Sequence, residues 1–192
     1  MRLIFYSFCI FIYFGGNNLF SQKLSFYKED LKFYLDTNNF IVDGYYYLSN
    51  NDSSKVSQII FYPFPTEADF GNVDSISVFD DTFKKEISFY KAKDNSGITF
   101  LLQMEGYGFR KIKIIYRQRL NNNIAKYILR TTQNWGKPIE SANYILSVSD
   151  KIKIDSLSYP ADSARVVNNK TIYYWSKKNF FPREDFIFYF SH

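Results

Sequence analysis

Residues 109 to 120 have the sequence FRKIKIIYRQRL, in which apolar and basic side chains alternate. One side of this stretch carries Ile112, Ile114, Tyr116 and Leu120. The other side carries Lys111, Lys113, Ile115, Arg117 and Arg119. A period of two is typical of a β-strand with one packed face and one solvated face. The stretch therefore predicts a half-buried β-strand.

The rest of the chain repeats this strand pattern. Short runs rich in Tyr, Phe, Ile, Val and Thr are separated by Asn, Asp, Ser and Gly, which favour turns. Further strands are predicted at residues 32–36, 40–49, 58–63, 75–79, 86–91, 98–103, 124–132, 142–148, 151–157, 171–176 and 185–190. A strand about every ten residues, without long helical patterns between them, predicts an all-β fold of the antiparallel β-sandwich type.

Two segments give mixed signals about helix and strand, and a third predicts how two strands pair. Residues 26–35 show both near-helical spacing and alternation, and residues 160–167 allow one helical turn. Three asparagines, residues 121–123, separate the strand at 109–120 from the strand at 124–132. Because asparagine is frequent in turns, we expect these two strands to form a hairpin.

The first 22 residues have the pattern of a secretory signal peptide. Arg2 provides a positive start, residues 3–14 form an apolar run, and residues 15–22 form a polar exit. The run is too short to span a bilayer as a helix, which needs about 20 residues. We predict a signal peptide over residues 1–22, a single β-sandwich domain over residues 23–192, and a secreted or periplasmic location.

Cysteine and histidine are nearly absent beyond this leader. Cys9 lies inside it, and the only histidine, His192, is the last residue. Catalysis by Ser–His–acid or Cys–His groups needs an internal imidazole or thiol, and zinc sites use the same side chains. We therefore predict no catalytic residues of these kinds, no metal site, no cofactor and no enzymatic activity.

Aromatic residues make up 21% of the sequence. Each large ring buries a considerable area when it enters a core. Because the predicted mature chain has no cysteine for disulfides, we expect its stability to depend on this aromatic burial.

Six basic residues are the strongest indication of a binding partner in the sequence. Like charges that face each other across a hairpin repel, so either acids from a third strand interleave with them or the face binds an anion. The predicted partners are an envelope glycan, a lipid headgroup or another envelope protein. We predict no nucleic-acid partner, because the protein is predicted to be exported and its net charge is only +5. The candidate anion-binding residues are Lys111, Lys113, Arg117, Arg119, Lys126 and Arg130.

These patterns predict an exported cell-envelope module with a binding or structural role, and two alternatives remain open. A carboxylate-based carbohydrate-active enzyme needs two acids at a set distance. Close acids occur at Glu67-x-Asp69, Asp80-Asp81 and Glu184-Asp185. A small outer-membrane β-barrel would show strands of about ten residues with an apolar outward face.

Three stretches carry a family resemblance. YLSNN at 47–51 leads to FYPFP at 61–65, YILRTTQNW at 127–135 leads to Pro138 and Ala142, and Trp175 precedes NFFPREDF at 179–186. In this order they resemble a Bacteroidetes-like family of exported bacterial β-sandwich proteins of unknown function. The resemblance implies the sandwich fold and brings no catalytic residue with it.

Overall fold

The computed structural model describes residues 24–192, which are almost entirely β-structure. The predicted signal peptide at residues 1–22 lies outside the described residues. Within them, none of the helices is long and apolar enough to cross a membrane.

The described chain forms fourteen strands and two short 3₁₀ helices. The strands are β1 (Leu24–Leu35), β2 (Asn39–Asn50), β3 (Val56–Pro63), β4 (Asn72–Asp80), β5 (Lys85–Glu86), β6 (Phe89–Lys91), β7 (Gly97–Met104), β8 (Phe109–Arg119), β9 (Ile124–Tyr127), β10 (Ile139–Val148), β11 (Lys153–Leu157), β12 (Ser163–Val167), β13 (Lys170–Phe180) and β14 (Phe186–Ser191). The helices are η1 (Ala68–Phe70) and η2 (Arg130–Trp135).

Three sheets share these strands. The large sheet has the order β12-β13-β10-β1-β2-β8-β4-β5. The β3 sheet has the order β3-β7-β6, and the β14 sheet has the order β11-β14-β9. Neighbours run antiparallel except β1 and β10, which are parallel. The predicted all-β, mainly antiparallel sandwich is thus confirmed, with one parallel pair added at its centre.

Both small sheets pack on the same face of the large sheet. Phe33 on β1 contacts Phe188 on β14, with ring centroids 5.5 Å apart. Tyr46 on β2 contacts Tyr62 on β3 at the same centroid distance of 5.5 Å. The buried side chains of all three sheets form one hydrophobic cluster rich in rings. The predicted dependence on aromatic burial therefore matches the composition of the core.

The alternating stretch at residues 109–120 forms β8, and its apolar and basic side chains lie on opposite faces of the sheet, as predicted. Ile112, Ile114 and Tyr116 are buried on the inner face, and Gln118 continues the same side as a fully buried polar residue. The basic residues occupy the outer face. Alternation along β8 thus correctly predicted both the strand and its orientation.

The predicted hairpin between β8 and β9 is wrong. β8 pairs with β2 on one side and β4 on the other, whereas β9 pairs with β14 in a different sheet. Residues 121–123 therefore connect two sheets across the sandwich. β9 also ends at Tyr127, and residues 130–132, the end of the predicted strand, belong to η2. Since both hydrogen-bonding edges of β8 are occupied, no edge is left for β9.

Two further segments differ from the prediction. Residues 163–167, where one helical turn was allowed, form the edge strand β12 against β13. The predicted strand at 86–91 is divided between β5 in the large sheet and β6 in the β3 sheet. Each of these strands pairs with a strand that is its neighbour in sequence: β12 with β13, β5 with β4, and β6 with β7.

A β-bulge resolves the mixed pattern at residues 26–35. Phe26 pairs with Leu48 and Lys28 pairs with Tyr47, so Tyr27 is an extra residue in the ladder. Before the bulge Phe26 faces the core, and after it Glu29 and Leu31 do. A bulge shifts the side-chain alternation by one residue. It therefore places the carboxyl group of Glu29 inside the sandwich.

Candidate functional site: a tyrosine-lined pocket

A pocket of about 80 Å³ lies where the large sheet, the β3 sheet and the β9–η2 segment meet. Its floor is formed by buried residues, including Glu29, Tyr46 and Tyr127, and its rim includes exposed Phe61 and half-buried Trp135. We call this site the tyrosine pocket. The residues that line it are Phe26, Glu29, Tyr46, Leu48, Ile60, Phe61, Tyr62, Pro63, Phe100, Leu102, Ile112, Ile114, Tyr127, Ile128, Thr131, Thr132 and Trp135.

Three tyrosine hydroxyls meet in the pocket. The Tyr46 hydroxyl lies 2.7 Å from the Tyr62 hydroxyl and 3.1 Å from the Tyr127 hydroxyl. The three side chains come from β2, β3 and β9, so each sheet contributes one. Burial raises the pKa of all three hydroxyls well above the usual 10. They remain neutral hydrogen-bonding groups over the physiological pH range.

Gly44 makes room for the Tyr46 ring. A Cβ atom at Gly44 would lie 2.5 Å from the Tyr46 hydroxyl oxygen and 2.7 Å from Cδ2 of Leu31. Carbon and oxygen atoms do not approach this closely without a shift. The missing side chain therefore lets Tyr46 lie along its own strand and reach the other two tyrosines.

Glu29 is the only carboxyl among the residues that line the pocket. It lies directly opposite Tyr46 in the β1–β2 register and opposite Ala142 in the β1–β10 register. The Tyr144 hydroxyl donates a hydrogen bond to Glu29 Oε1. Within residues 24–192, no protein group donates to the buried Oε2 atom. One buried acceptor of a residue that lines the pocket therefore has no donor among the described residues.

The protonation of Glu29 is unusual. Complete burial raises the pKa of this carboxyl from 4.5 to about 7, against the opposing effect of the hydrogen bond from Tyr144. The negative charge of neighbouring Asp30 raises the pKa further. Perturbed carboxyl groups in pockets are frequent at functional sites. Glu29 is therefore the titrating group of this site near neutral pH.

Four of the predicted anion-binding residues lie on β8, on the outer face of the large sheet. Lys111 Nζ lies 2.8 Å from Asp81 Oδ2, and Lys113 Nζ lies 3.3 Å from Asp43 Oδ1. Arg117 and Arg119 share Asp74, with Nε–O distances of 2.8 and 2.5 Å. The arginines and Lys111 thereby hold the pKa values of Asp74 and Asp81 down to about 2.

The other two, Lys126 and Arg130, lie away from β8 around the buried carboxyl of Asp185. Lys126 Nζ is 2.7 Å from Glu67 Oε1 and 3.6 Å from Asp185 Oδ2, and Arg130 is 3.4 Å from the same Asp185 atom. The structure thus divides the six cations between two places and pairs each with an acid. This geometry corresponds to the interleaved-acid alternative, and anion binding by these residues stays a prediction.

The close acidic residues make turn and strand contacts. Asp80 Oδ1 accepts from the backbone N–H groups of Thr82 and Phe83 in the β4–β5 turn. Asp185 Oδ1 accepts from the backbone N–H groups of Leu129 and Arg130, both at 3.0 Å, at the start of η2. Among the described residues, no group of three or more Asp, Glu, His and Cys residues could hold a metal ion.

Sequence reasoning missed Glu29 as a site residue. The available signal was a charged residue three positions after Phe26 and two before Leu31, within a strand whose apolar phase changes. That change of phase indicates a bulge, but only the pairing with β2 shows which residues turn inward.

No protein-family model matches the sequence, and no curated protein matches it. Solved structures do share its fold. A proposed nutrient-binding protein from Legionella pneumophila superposes with a TM-score of 0.69 at 12% identity, over 88% of this chain and 67% of that one. An M1 zinc metallopeptidase from Deinococcus radiodurans, bound to a Tyr-Ser-Ala substrate, superposes with a TM-score of 0.50 at 8% identity.

The second match spans 88% of this chain and 43% of the metallopeptidase. At identities this low, both matches show a shared fold, and a fold by itself does not assign an activity.

Proposed function

We propose that this protein is a non-catalytic binding module of the cell envelope and that the tyrosine pocket is its ligand site. The observation that carries the proposal is the combination of aromatic walls with one unused, buried carboxylate oxygen. A concave apolar site with a few convergent polar groups is the usual form of a small-molecule site. The description of the Legionella protein as nutrient-binding supports a binding role.

The pocket supports binding rather than glycoside hydrolysis. Hydrolysis of a glycosidic bond uses two carboxyl groups on either side of the reacting bond. Glu29 is the single carboxyl that lines the pocket, and Asp30 beside it in β1 has a side chain on the opposite face. The available chemistry is therefore recognition of a ligand by one acceptor and several rings.

Binding can be tested with a neutral probe and two neighbouring leucines on β7. Leu102 lines the pocket and is 2% exposed, whereas Leu101 points outward and is 53% exposed. We expect n-butanol to shift the amide NMR signals of pocket residues in the unmodified protein. Leu102→Phe should fill the space and remove these shifts, and Leu101→Phe should leave them intact. Equal binding by both variants would exclude the pocket as the site.

The envelope location is part of the same proposal. We expect fractionation to find the protein outside the cytoplasm, with an N-terminus near Gln22 or Lys23. Cytoplasmic protein that retains Met1 would contradict the export prediction. Membership of the exported β-sandwich family likewise stays a prediction.

A further inference from the structure

An unpaired carboxylate oxygen in an apolar pocket needs a donor. At pH values above about 7 Glu29 is mostly ionised, and an ionised carboxylate with a vacant lone pair carries a large desolvation cost. Tyr144 satisfies only Oε1. A ligand that brings both a positive charge and an N–H donor to Oε2 would offset most of this cost.

The walls around Glu29 also favour a cation. Ring faces carry partial negative charge and attract ammonium groups within about 6 Å of their centroids. Phe26 lies between two of these rings, with centroid distances of 6.1 Å to Tyr46 and 5.9 Å to Trp135. Tyr62 lies 5.5 Å from Tyr46 in an edge-to-face arrangement. Aromatic rings beside one carboxylate are the chemistry that recognises organic ammonium ions.

The volume limits the size of the ligand. About 80 Å³ is well below the range of about 300–1,000 Å³ that is typical of sites for drug-sized molecules. An ammonium group with a few carbon atoms fits this volume. A longer chain would have to leave past Phe61, which is 52% exposed at the rim.

We propose that the tyrosine pocket binds a primary ammonium group on a short hydrocarbon chain, with an ammonium N–H donating to Glu29 Oε2. This inference rests on the proposed function, because it assigns a ligand class to the same pocket. Binding and release are reversible, and no bond is formed or broken.

Three probes with the same four-carbon chain separate the inference from the binding function. We expect n-butylamine at about pH 8 to bind about tenfold more tightly than n-butanol, since charge-assisted hydrogen bonds are roughly twice as strong as neutral ones. Butyrate should not bind, because its carboxylate would face that of Glu29. Equal affinity for the amine and the alcohol would overturn the ammonium proposal while the pocket remains a binding site. Failure of all three probes would overturn both.

The Glu29→Gln variant tests whether the negative charge of Glu29 causes the preference for the amine. Glutamine has nearly the same shape but no negative charge, so the preference for n-butylamine over n-butanol should disappear while n-butanol still binds. Glu140→Gln is the matched control, because Glu140 is an exposed carboxylate on β10. Loss of the preference in both variants, or in neither, would contradict a direct role for Glu29.

The pH profile gives a test that does not depend on a variant folding. The groups that face Glu29 are the hydroxyls of Tyr46, Tyr62, Tyr127 and Tyr144, all with pKa values raised above 10, and adjacent Asp30, whose pKa is lowered. Glu29 alone among them titrates near neutral pH. Affinity for n-butylamine should therefore fall about tenfold for each pH unit below 7, as the ionised fraction falls. A flat profile between pH 5 and pH 8 would refute the pairing.

Discussion

At the scale of single residues, the pocket depends on one buried acid and one glycine. Glu29 is fully buried, so its charged form is disfavoured, and Gly44 gives the Tyr46 ring the space to reach its partners. Neither residue is a standard core residue. Substitution of either residue should therefore have effects that substitution of an ordinary apolar core residue would not have.

The first prediction concerns stability against pH. The pKa of Glu29 is raised from 4.5 to about 7 in the folded state, so the folded protein binds more protons than the unfolded chain between these values. The free energy of unfolding should therefore fall as pH rises from 4.5 to 7, by up to about 3 kcal/mol. Denaturant titrations of the unmodified protein and of Glu29→Gln would measure this difference.

In the glutamine variant that fall should be absent. Acids with lowered pKa values, such as Asp74 and Asp81, lose their stabilising effect only below about pH 4 and lie outside this window. An equal fall in both proteins would show that another group titrates.

A second prediction concerns Gly44. Gly44→Ala should destabilise the fold by about 1–3 kcal/mol, because the new methyl group overlaps the Tyr46 hydroxyl and Leu31. It should also weaken n-butanol binding by moving Tyr46. Thermal unfolding and NMR titration would measure the two effects. Adding Tyr46→Phe removes the closest clashing atom, so the double variant should regain part of the lost stability.

At the scale of one element, the bulge in β1 keeps Phe26 and Glu29 on the pocket face although two residues separate them. Tyr27 is the extra residue, and regular pairing with β2 resumes at Lys28. Without Tyr27, Phe26 and Glu29 would still lie on the inner face, because one residue would separate them. The bulge therefore accommodates the extra residue: with Tyr27 present, it keeps Phe26 and Glu29 on the same face and increases the local twist.

This makes a third prediction, based on two single-residue deletions in one strand. Deletion of Tyr27 should leave a folded protein with altered affinity for n-butanol, because it removes only the bulge. Deletion of Lys32, in the regular part of β1, should unfold it, because residues on one side of the gap would change faces. Circular dichroism and thermal unfolding would distinguish the two. If both deletions are tolerated, pairing in β1 does not specify the register.

At the scale of the whole molecule, the two faces of the large sheet have different chemistry. The inner face holds the aromatic core under both small sheets, and the outer face carries ion pairs between β8 and its neighbours. Ion pairs between fully exposed side chains are worth roughly 0–1 kcal/mol each, whereas the side chains of these two pairs are 24–41% exposed. Their charges remain partly accessible to solvent and are available for a test of function.

The fourth prediction concerns anion binding by this outer face. If β8 binds a polyanion such as heparin, affinity should weaken as salt is added, because charges are screened over about 8–10 Å at ordinary ionic strength. Reversal of Lys113 and Arg117 to Glu should then abolish binding. We expect the double variant to stay folded, since its partners Asp43 and Asp74 lie at the partly exposed surface. Heparin binding that persists after the charge reversal would contradict the prediction that this face binds anions.

The sequence by itself determined the class of fold and the orientation of its clearest strands. Alternation in β8 and β2 follows from backbone geometry, in which successive side chains point to opposite faces, so a local pattern was sufficient. The near absence of internal cysteine and histidine also decided in advance that any site in the predicted mature chain must use other groups.

Only the tertiary structure decided which strands pair and which residues form the pocket. β9 pairs with β14 and not with its predicted partner β8. β1 pairs in parallel with β10, which lies more than 100 residues further along the chain. These choices depend on long-range burial and on which strand edges remain free, neither of which is present in a short window of sequence. Glu29 faces the core because of the register and bulge of the β1–β2 hairpin. Long-range packing then brings tyrosines from the two small sheets to Tyr46 and completes the pocket.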